Sequence, residues 1–169
     1  LPGALEREDL RVVHACWHEP AIEKLRHATT MIDAFEQEAE QNKSKLEPLG
    51  KVLRDTARAQ NFAWRRVRDE SQKPELFHEL ADYDEANQMG NAVKVVTSGI
   101  ERPAKDSFWA SGKWRMVERV PWWDEYSGPP VVVGHYWRRY FANRPLNKEK
   151  IETDLFGDLP PESTLGPEG

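Results

Sequence analysis

Three consecutive valines, at residues 131–133, are the sequence feature that most restricts how this chain can fold. β-Branched side chains favour strands, and a short uninterrupted apolar run is typical of a strand in the middle of a sheet. The run begins after Pro130 and ends at Gly134, and His135 follows directly. The sequence therefore predicts a core strand that ends in a glycine and a histidine.

A second segment has the same arrangement. Residues 10–16 read LRVVHAC, so His14 also follows two valines at the end of a predicted strand. Because strand ends deliver side chains to sites built from loops, we expect His14 and His135 to converge on one point, where their rings could bind a metal ion. We expect Gly134 to supply an unusual backbone conformation or a close approach. The alternative for each histidine is an ordinary hydrogen-bonded residue, since catalytic zinc usually needs three protein ligands.

The region between the two histidines begins with helical patterns. Residues 20–40 are predicted to form a helix that starts at Pro20. A break is expected at residues 48–50, followed by a second helix, and a third helix is expected from Pro74 to about Gly90. The apolar stripe of the first helix consists of Ile22, Leu25, Ala28, Ile32, Phe35 and Ala39.

The pattern changes after Gly90. Residues 91–99 are predicted to form a strand, a polar loop follows, and residues 113–120 are predicted to form a half-buried strand that Pro121 ends. A short helix is expected within residues 138–150. One strand, a helical insert and three further strands predict a mixed α/β fold.

Composition excludes several classes of function. The net charge of −5 argues against a nucleic-acid partner and against an anionic membrane surface. No apolar run approaches the roughly 20 residues of a transmembrane helix, and the first residues lack the pattern of a signal peptide. The single cysteine, Cys16, permits no internal disulfide and is typical of a reducing compartment, so a cytoplasmic location is expected.

Four segments together resemble a known family. They read VVHACW, KVVTSGIERP, GKWRMVERVPWWDEY and PVVVGHYWRRY. They are similar to the C-terminal half of bacterial calcineurin-like metallophosphoesterases, near the serine/threonine protein phosphatases and diadenosine-tetraphosphate hydrolases. The family carries GDxHG, GDxxDRG and GNHE motifs, then a histidine in a VHA or VHG strand and a late GH strand. Only the last two occur here, as His14 and His135, so the chain is expected to be truncated at both ends.

The resemblance implies part of a four-layer α/β/β/α sandwich with a helical insert. Residues 1–19 would contain the first metal-ligand strand, and residues 20–90 would be the helical insert or cap. Residues 91–142 would supply the remaining core strands, including the second metal-ligand strand. Residues 143–169 would be an irregular C-terminal segment.

The resemblance also implies a reaction. The intact protein would hydrolyse phosphate mono- or diesters with a hydroxide activated by two divalent cations, such as manganese, iron or zinc. His14 and His135 would bind the same cation. The substrate would be a phosphoprotein, a dinucleoside polyphosphate or a small phosphoester. The segment alone, which lacks the other ligands, is expected to be inactive or nearly so.

Other residues near the two strands invite interpretation. Arg138 and Arg139 are candidate phosphate-binding residues, and an exposed, ion-paired role is the alternative. Cys16 is expected to be a small buried residue and not a nucleophile. Glu19 and Asp124 are candidates to support the metal ligands from behind. The tryptophans near the strands are expected to pack in the core in preference to lining a substrate slot, and they are Trp17, Trp122, Trp123 and Trp137.

Two other classes of function stay open at this point. The first is a degenerate binding module that keeps the scaffold without the metals. The second is a helical interaction protein in which residues 20–89 form the working surface.

Overall fold

The computed structural model describes residues 3–135, which form a mixed α/β domain with four α-helices and two small sheets. The elements in chain order are β1 (Ala4–Glu6), β2 (Arg11–Val13), α1 (Glu19–Arg26), α2 (Met31–Ala59), α3 (His78–Met89), α4 (Ala92–Ser98), β3 (Glu101–Ala110), β4 (Lys113–Arg119) and β5 (Val131–Val133). Two short 3-10 helices lie at Trp64–Arg68 and Trp122–Asp124. The mixed α/β class predicted from the sequence is confirmed.

The three-stranded sheet has β2 in its centre. β2 pairs antiparallel with β1 and parallel with β5. The parallel register aligns Val13 with Val133, so both strands end at the same edge of the sheet. The residues that follow them, His14 and Gly134, therefore emerge side by side. The strands predicted at residues 12–13 and at Val131–Val133 are confirmed.

β3 and β4 form a hairpin of their own and do not join the first sheet. Its turn residues, Ser111 and Gly112, have φ angles of 53° and 76°, which is the backbone geometry of a type I′ turn. The prediction of a polar loop before the strand at residues 113–120 was wrong, because residues 101–110 form β3. The pairing shifts between Pro103 and Phe108, and this irregularity removes the apolar alternation that identifies a strand.

Two apolar clusters hold the elements together. The first lies beneath the three-stranded sheet and joins it to α1, α4 and the segment after β4. Its members include Val13, Cys16, Trp17, Ile22, Val95, Val96, Trp122 and Trp123. The second lies between α2, α3 and the hairpin, and its buried members are Leu53, Ala57, Phe77, Ala81, Met116 and Val117. Trp17, Trp122 and Trp123 thus pack in the core, as predicted, and Trp137 lies outside the described residues.

The helix predicted over residues 20–40 is two helices. Pro20 lies in the first turn of α1, as expected, but α1 ends at Arg26. α2 starts after Thr30, whose hydroxyl accepts a hydrogen bond of 3.0 Å from the backbone N–H of Asp33. This N-cap satisfies one of the unpaired donors at the helix start. Because the chain turns here, Ile32 leaves the predicted apolar stripe and is 70% exposed.

The break predicted at residues 48–50 does not occur, because α2 continues through Pro48 to Ala59. A proline inside a helix removes the hydrogen bond to the carbonyl group four residues earlier. Pro48 and Ser44 are both exposed, so the freed carbonyl of Ser44 lies on the solvent side of the helix. Water can satisfy that carbonyl, and the buried face of α2 remains continuous at Gly50 and Leu53.

The strand predicted over residues 91–99 is the helix α4. The side chain of Asn91 accepts hydrogen bonds from the backbone N–H groups of Val93 and Lys94 at 3.1 and 3.3 Å, which caps the helix start. The preceding helix, α3, ends before Gly90, as predicted, but it begins at His78 and not at Pro74.

Within residues 3–135, none of the helices has both the length and the apolar content that a bilayer crossing requires.

Candidate metal centre

The side chains of His14 and His135 lie against each other at the edge of the three-stranded sheet. Nε2 of His14 and Nδ1 of His135 are 3.3 Å apart, and the ring centroids are 5.2 Å apart at an interplanar angle of 64°. His14 is exposed and His135 is half-buried, so the pair faces solvent on one side. The structure therefore places at one point two imidazoles that are separated by 121 positions in the sequence.

The backbone fixes this juxtaposition. The carbonyl oxygen of His14 accepts hydrogen bonds from the N–H groups of both Gly134 (3.0 Å) and His135 (2.8 Å). These bonds tie together the residues that directly follow β2 and β5, where the regular pairing has ended. The positions of both histidines are thus fixed by main-chain hydrogen bonds in addition to the contact between their rings.

The segment after His14 is anchored in the core. Ala15 donates its N–H to the carbonyl of Val96 at 2.8 Å, and its own carbonyl accepts a bond of 3.1 Å from the indole N–H of Trp122. Ala15 and Cys16 are fully buried. His14 is thus an exposed side chain on a rigid backbone, which is the arrangement that a preorganised ligand requires.

Arg119 is a charged group close enough to His135 to affect its pKa. The pKa of His135 lies below its usual value, chiefly because the ring is partly buried, and the positive charges of Arg119 and His14 lower it further. A lowered pKa keeps the ring neutral near pH 7. A neutral ring has a nitrogen lone pair available for a cation or a proton.

Arg119 ends β4 and has one partner on β3. Its Nη2 lies 3.2 Å from Oε1 of Glu101, while its buried Nη1 has no hydrogen-bond partner among the described residues. A buried guanidinium nitrogen without a partner is costly and suits an anionic ligand. Sequence reasoning missed this residue because it stood on the polar face of a predicted strand. Only the folding of the hairpin beside the sheet reveals its position.

The histidine pair fits a single cation. Zinc–nitrogen bonds of about 2.0–2.1 Å in a tetrahedral shell place two ligand nitrogens about 3.3 Å apart. The observed separation of 3.3 Å has this value. Without a cation, the same two nitrogens can share a hydrogen bond, in which the tautomers of the rings decide which nitrogen donates. The donor chemistry and the spacing are therefore compatible with two ligands of one ion as well as with a hydrogen bond between the rings.

Further ligands do not lie beside the pair in the part of the chain that the structure describes. Within residues 3–135, no group of three or more histidine, cysteine, aspartate or glutamate side chains is placed to hold a metal ion. Cys16 is buried, as predicted, and burial raises its pKa to about 12. The candidate supporting residue Glu19 instead accepts a hydrogen bond of 2.9 Å from the indole N–H of Trp17, and Asp124 is exposed.

The unusual backbone conformation expected for Gly134 is not found, and no neighbouring part of the described chain approaches it closely. Its φ angle is outside the left-handed region, and a Cβ atom built on it would meet nothing within 4 Å. Gly134 contributes its N–H group to His14, and any residue except proline can supply that donor. Arg138 and Arg139, the candidate phosphate-binding residues, lie outside the described residues.

Comparison with known proteins returned no relatives. No protein-family model matches the chain, and neither a curated protein nor a solved structure is significantly similar to it. The family resemblance drawn from the motifs thus stays a prediction.

Proposed function

We propose that the protein is part of a cytoplasmic metal-dependent phosphoesterase of the four-layer α/β/β/α type. It would hydrolyse phosphate mono- or diesters in a phosphoprotein, a dinucleoside polyphosphate or a small phosphoester. The observation that carries the proposal is the 3.3 Å separation of the ligand nitrogens of His14 and His135.

His14 and His135 would bind one of two divalent cations, of manganese, iron or zinc, through Nε2 and Nδ1 respectively. Such cations supply Lewis acidity toward phosphoryl oxygens and lower the pKa of water. The contribution of this chain is to hold two imidazoles at a fixed separation. The main-chain bonds to the carbonyl oxygen of His14 maintain that separation without any ligand.

Arg119 would act on the substrate. Its buried Nη1 lacks a hydrogen-bond partner within the described residues, and its charge reaches His135. A phosphate oxygen beside the cation site could accept a charge-assisted hydrogen bond from this nitrogen. Arg119 would thus orient the phosphoryl group, and the ion pair with Glu101 would hold the guanidinium in place.

A two-cation centre needs more ligands than this histidine pair. The remaining ligands would come from outside residues 3–135. Arg138 and Arg139, which follow His135 in the sequence, remain proposed phosphate-binding residues.

Metal binding tests the proposal directly. Zinc is titrated calorimetrically into the chain and into its His14→Ala and His135→Ala variants. Each substitution is expected to raise the dissociation constant at least tenfold, because each removes one of the two ligands. His78→Ala is the matched control, since His78 is an exposed histidine on α3, away from the sheet edge. Equal zinc affinities in all four proteins would overturn the proposed ligand pair.

Activity provides the second arm, in the longest natural form of the protein loaded with manganese. His135→Ala should lower turnover of an aryl phosphate by roughly a hundredfold or more, since catalysis depends on the cation. Arg119→Gln should instead weaken inhibition by inorganic phosphate while zinc affinity stays unchanged. If zinc binds through the histidines and phosphoesters are not hydrolysed, the chain is a metal-binding module and not an enzyme.

A further inference from the structure

A second site candidate lies at the C-terminal end of α2, on the side of the second apolar cluster. A groove of about 470 Å³ is lined by Arg54, Ala57, Arg58, Asn61, Phe62 and Trp64. Two of these residues, Ala57 and Phe62, belong to the second apolar cluster, whereas the histidine pair adjoins the first sheet. The groove is thus distinct from the proposed metal centre.

The shape of the groove is set by the way α2 ends. Asn61 has a φ angle of 50°, in the left-handed region. The N–H of Phe62 bonds to the carbonyl of Ala57 at 2.8 Å, and the N–H of Asn61 bonds to that of Arg58 at 3.2 Å. These two bonds form a Schellman motif, which turns the chain back across the last helical turn. Phe62 and Trp64 are thereby brought beside the arginines of the helix.

Trp64 presents an indole to solvent. It is 48% exposed, although large aromatic side chains are normally buried. Edge contacts with Phe62 and Phe77, at centroid distances of 5.1 and 6.2 Å, hold the ring in place. A fixed and exposed indole can stack on a planar aromatic ligand such as a nucleobase.

The groove has a positive charge in a negatively charged protein. Residues 54–68 contain five arginines and one acidic residue, although the whole chain has a net charge of −5. Arg54 and Arg58 form no ion pair with any carboxylate of the described residues. The one acidic residue, Asp55, has its carboxylate bonded to Lys51 at 2.6 Å.

Three further arginines follow Trp64 on the 3-10 helix. Arg65, Arg66 and Arg68 are exposed. Asp69, next in the chain, bonds Ser71 and Gln72, although the charge of Arg65 also helps to lower its pKa. The side-chain charges of this segment are therefore mainly positive and attract anions.

We propose that this groove binds a nucleoside phosphate, with the base stacked on Trp64 and the phosphates held by Arg58 and Arg54. Guanidinium groups pair with phosphate oxygens in a bidentate geometry. The amide of Asn61 offers a donor and an acceptor to the sugar or the base. The groove is wide open to solvent, so a bound ligand would contact the protein on one side only.

Charge favours a small ligand over a polymer. A nucleic acid that extended beyond the groove would meet the negatively charged remainder of the surface, which repels phosphates. An acidic peptide would satisfy the arginines but would leave the exposed indole without a planar partner. A single nucleotide satisfies both kinds of group at once.

Calorimetric titration of the full chain with ATP in the presence of EDTA tests the proposal. EDTA prevents metal-dependent hydrolysis, so the result is independent of the proposed enzymatic function. Arg58→Gln and Trp64→Ala should each raise the dissociation constant of ATP at least tenfold. Lys43→Gln is the matched control, since it removes one exposed positive charge from α2 outside the groove, and it should leave the affinity unchanged.

Three outcomes would overturn the proposal. The first is the absence of saturable ATP binding up to millimolar concentration. The second is equal affinity for ATP and inorganic triphosphate, which would exclude stacking on Trp64. The third is much tighter binding of a ten-nucleotide DNA strand or of an acidic peptide, which would identify a different partner. Because Trp64 contacts Phe62 and Phe77, the folding of the Trp64→Ala variant is checked by circular dichroism. If Trp64→Ala is unfolded, the ATP affinity of the Arg58→Gln variant tests the proposal instead, since Arg58 is exposed.

Discussion

The side-chain amide of Asn42 on α2 lies directly against Gly90, the residue that follows the last turn of α3. Asn42 is 6% exposed, and its Nδ2 donates a hydrogen bond of 3.0 Å to the carbonyl of Ala86. A Cβ atom at Gly90 would overlap the terminal amide atoms of Asn42. The contact between the two helices therefore depends on the absence of a side chain at position 90.

Gly90→Ala is expected to destabilise the protein by about 1–3 kcal/mol, because the added methyl group must displace a buried amide and its hydrogen bond. The free energy of unfolding is measured by urea denaturation. Gly134→Ala is the matched control and should be neutral or slightly stabilising, since a Cβ there meets nothing within 4 Å. Equal effects of the two substitutions would show that the helix contact is looser than described.

The hairpin turn offers a stabilising substitution. Ser111 has a φ angle of 53°, a conformation that asparagine adopts more readily than serine. Asn-Gly is the preferred pair for type I′ turns. Ser111→Asn should therefore raise the free energy of unfolding by a few tenths of a kcal/mol. Gly112→Ala, at φ 76°, should lower it by about 1 kcal/mol. A loss of stability in Ser111→Asn would contradict the assigned turn geometry.

Asp84 gives the fold a specific pH dependence. Burial raises the pKa of Asp84, and the charges of Lys113 and Arg115 offset this only in part. The folded state thus holds the proton at pH values where the unfolded state has lost it. The contribution of Asp84 to stability is present in acid, falls as the pH rises from about 3.8 through the folded-state pKa, and is unfavourable at neutral pH.

The gain in the free energy of unfolding caused by Asp84→Asn should therefore be larger at pH 7 than at pH 3. Chemical denaturation at the two pH values measures the difference. Asp82→Asn serves as the control, since Asp82 is exposed on the same helix. A larger gain for Asp84→Asn at pH 3 than at pH 7 would contradict the sign of this dependence.

The single cysteine should be unreactive in the folded protein. Cys16 is fully buried, and burial raises its pKa from 9.0 to about 12. At pH 8 the thiolate fraction is then lower by roughly a thousandfold than that of an ordinary thiol, and the thiolate is the reactive form. The rate of reaction with an aromatic disulfide reagent is measured with and without urea. Rapid reaction of the native protein would show that the first apolar cluster opens at low cost.

Local sequence patterns predicted those elements in which one residue type dominates. The valine runs in β2 and β5 were predictable because their apolar character is continuous, and the end of α3 was predictable from Gly90. The prediction failed for α4, whose three valines are typical of a strand. There the cap by Asn91 and the burial of Val95 and Val96 against the first cluster outweigh β-propensity.

The candidate site was predictable in part for a related reason. The strand ends identified both histidines, but the side of the sheet on which the hairpin folds has no local signal. The position of Arg119 depends on that packing, and so does the arginine and tryptophan groove, which requires the turn at Asn61. Overall composition also hides such local clusters. The net charge of −5 gives no sign of the five arginines between residues 54 and 68.

The parallel pairing of β2 with β5 has a consequence for the order of assembly. The two imidazoles are 121 positions apart, so they meet only when the two ends of the described chain come together through the pairing of β2 with β5. A cation held by both rings would cross-link the two ends of this loop. A covalent cross-link that closes a loop of this length stabilises a fold by on the order of 4–5 kcal/mol, because it lowers the entropy of the unfolded chain. Metal binding would then also favour the completely folded domain, because only the paired strands β2 and β5 hold both imidazoles at the spacing that one ion requires.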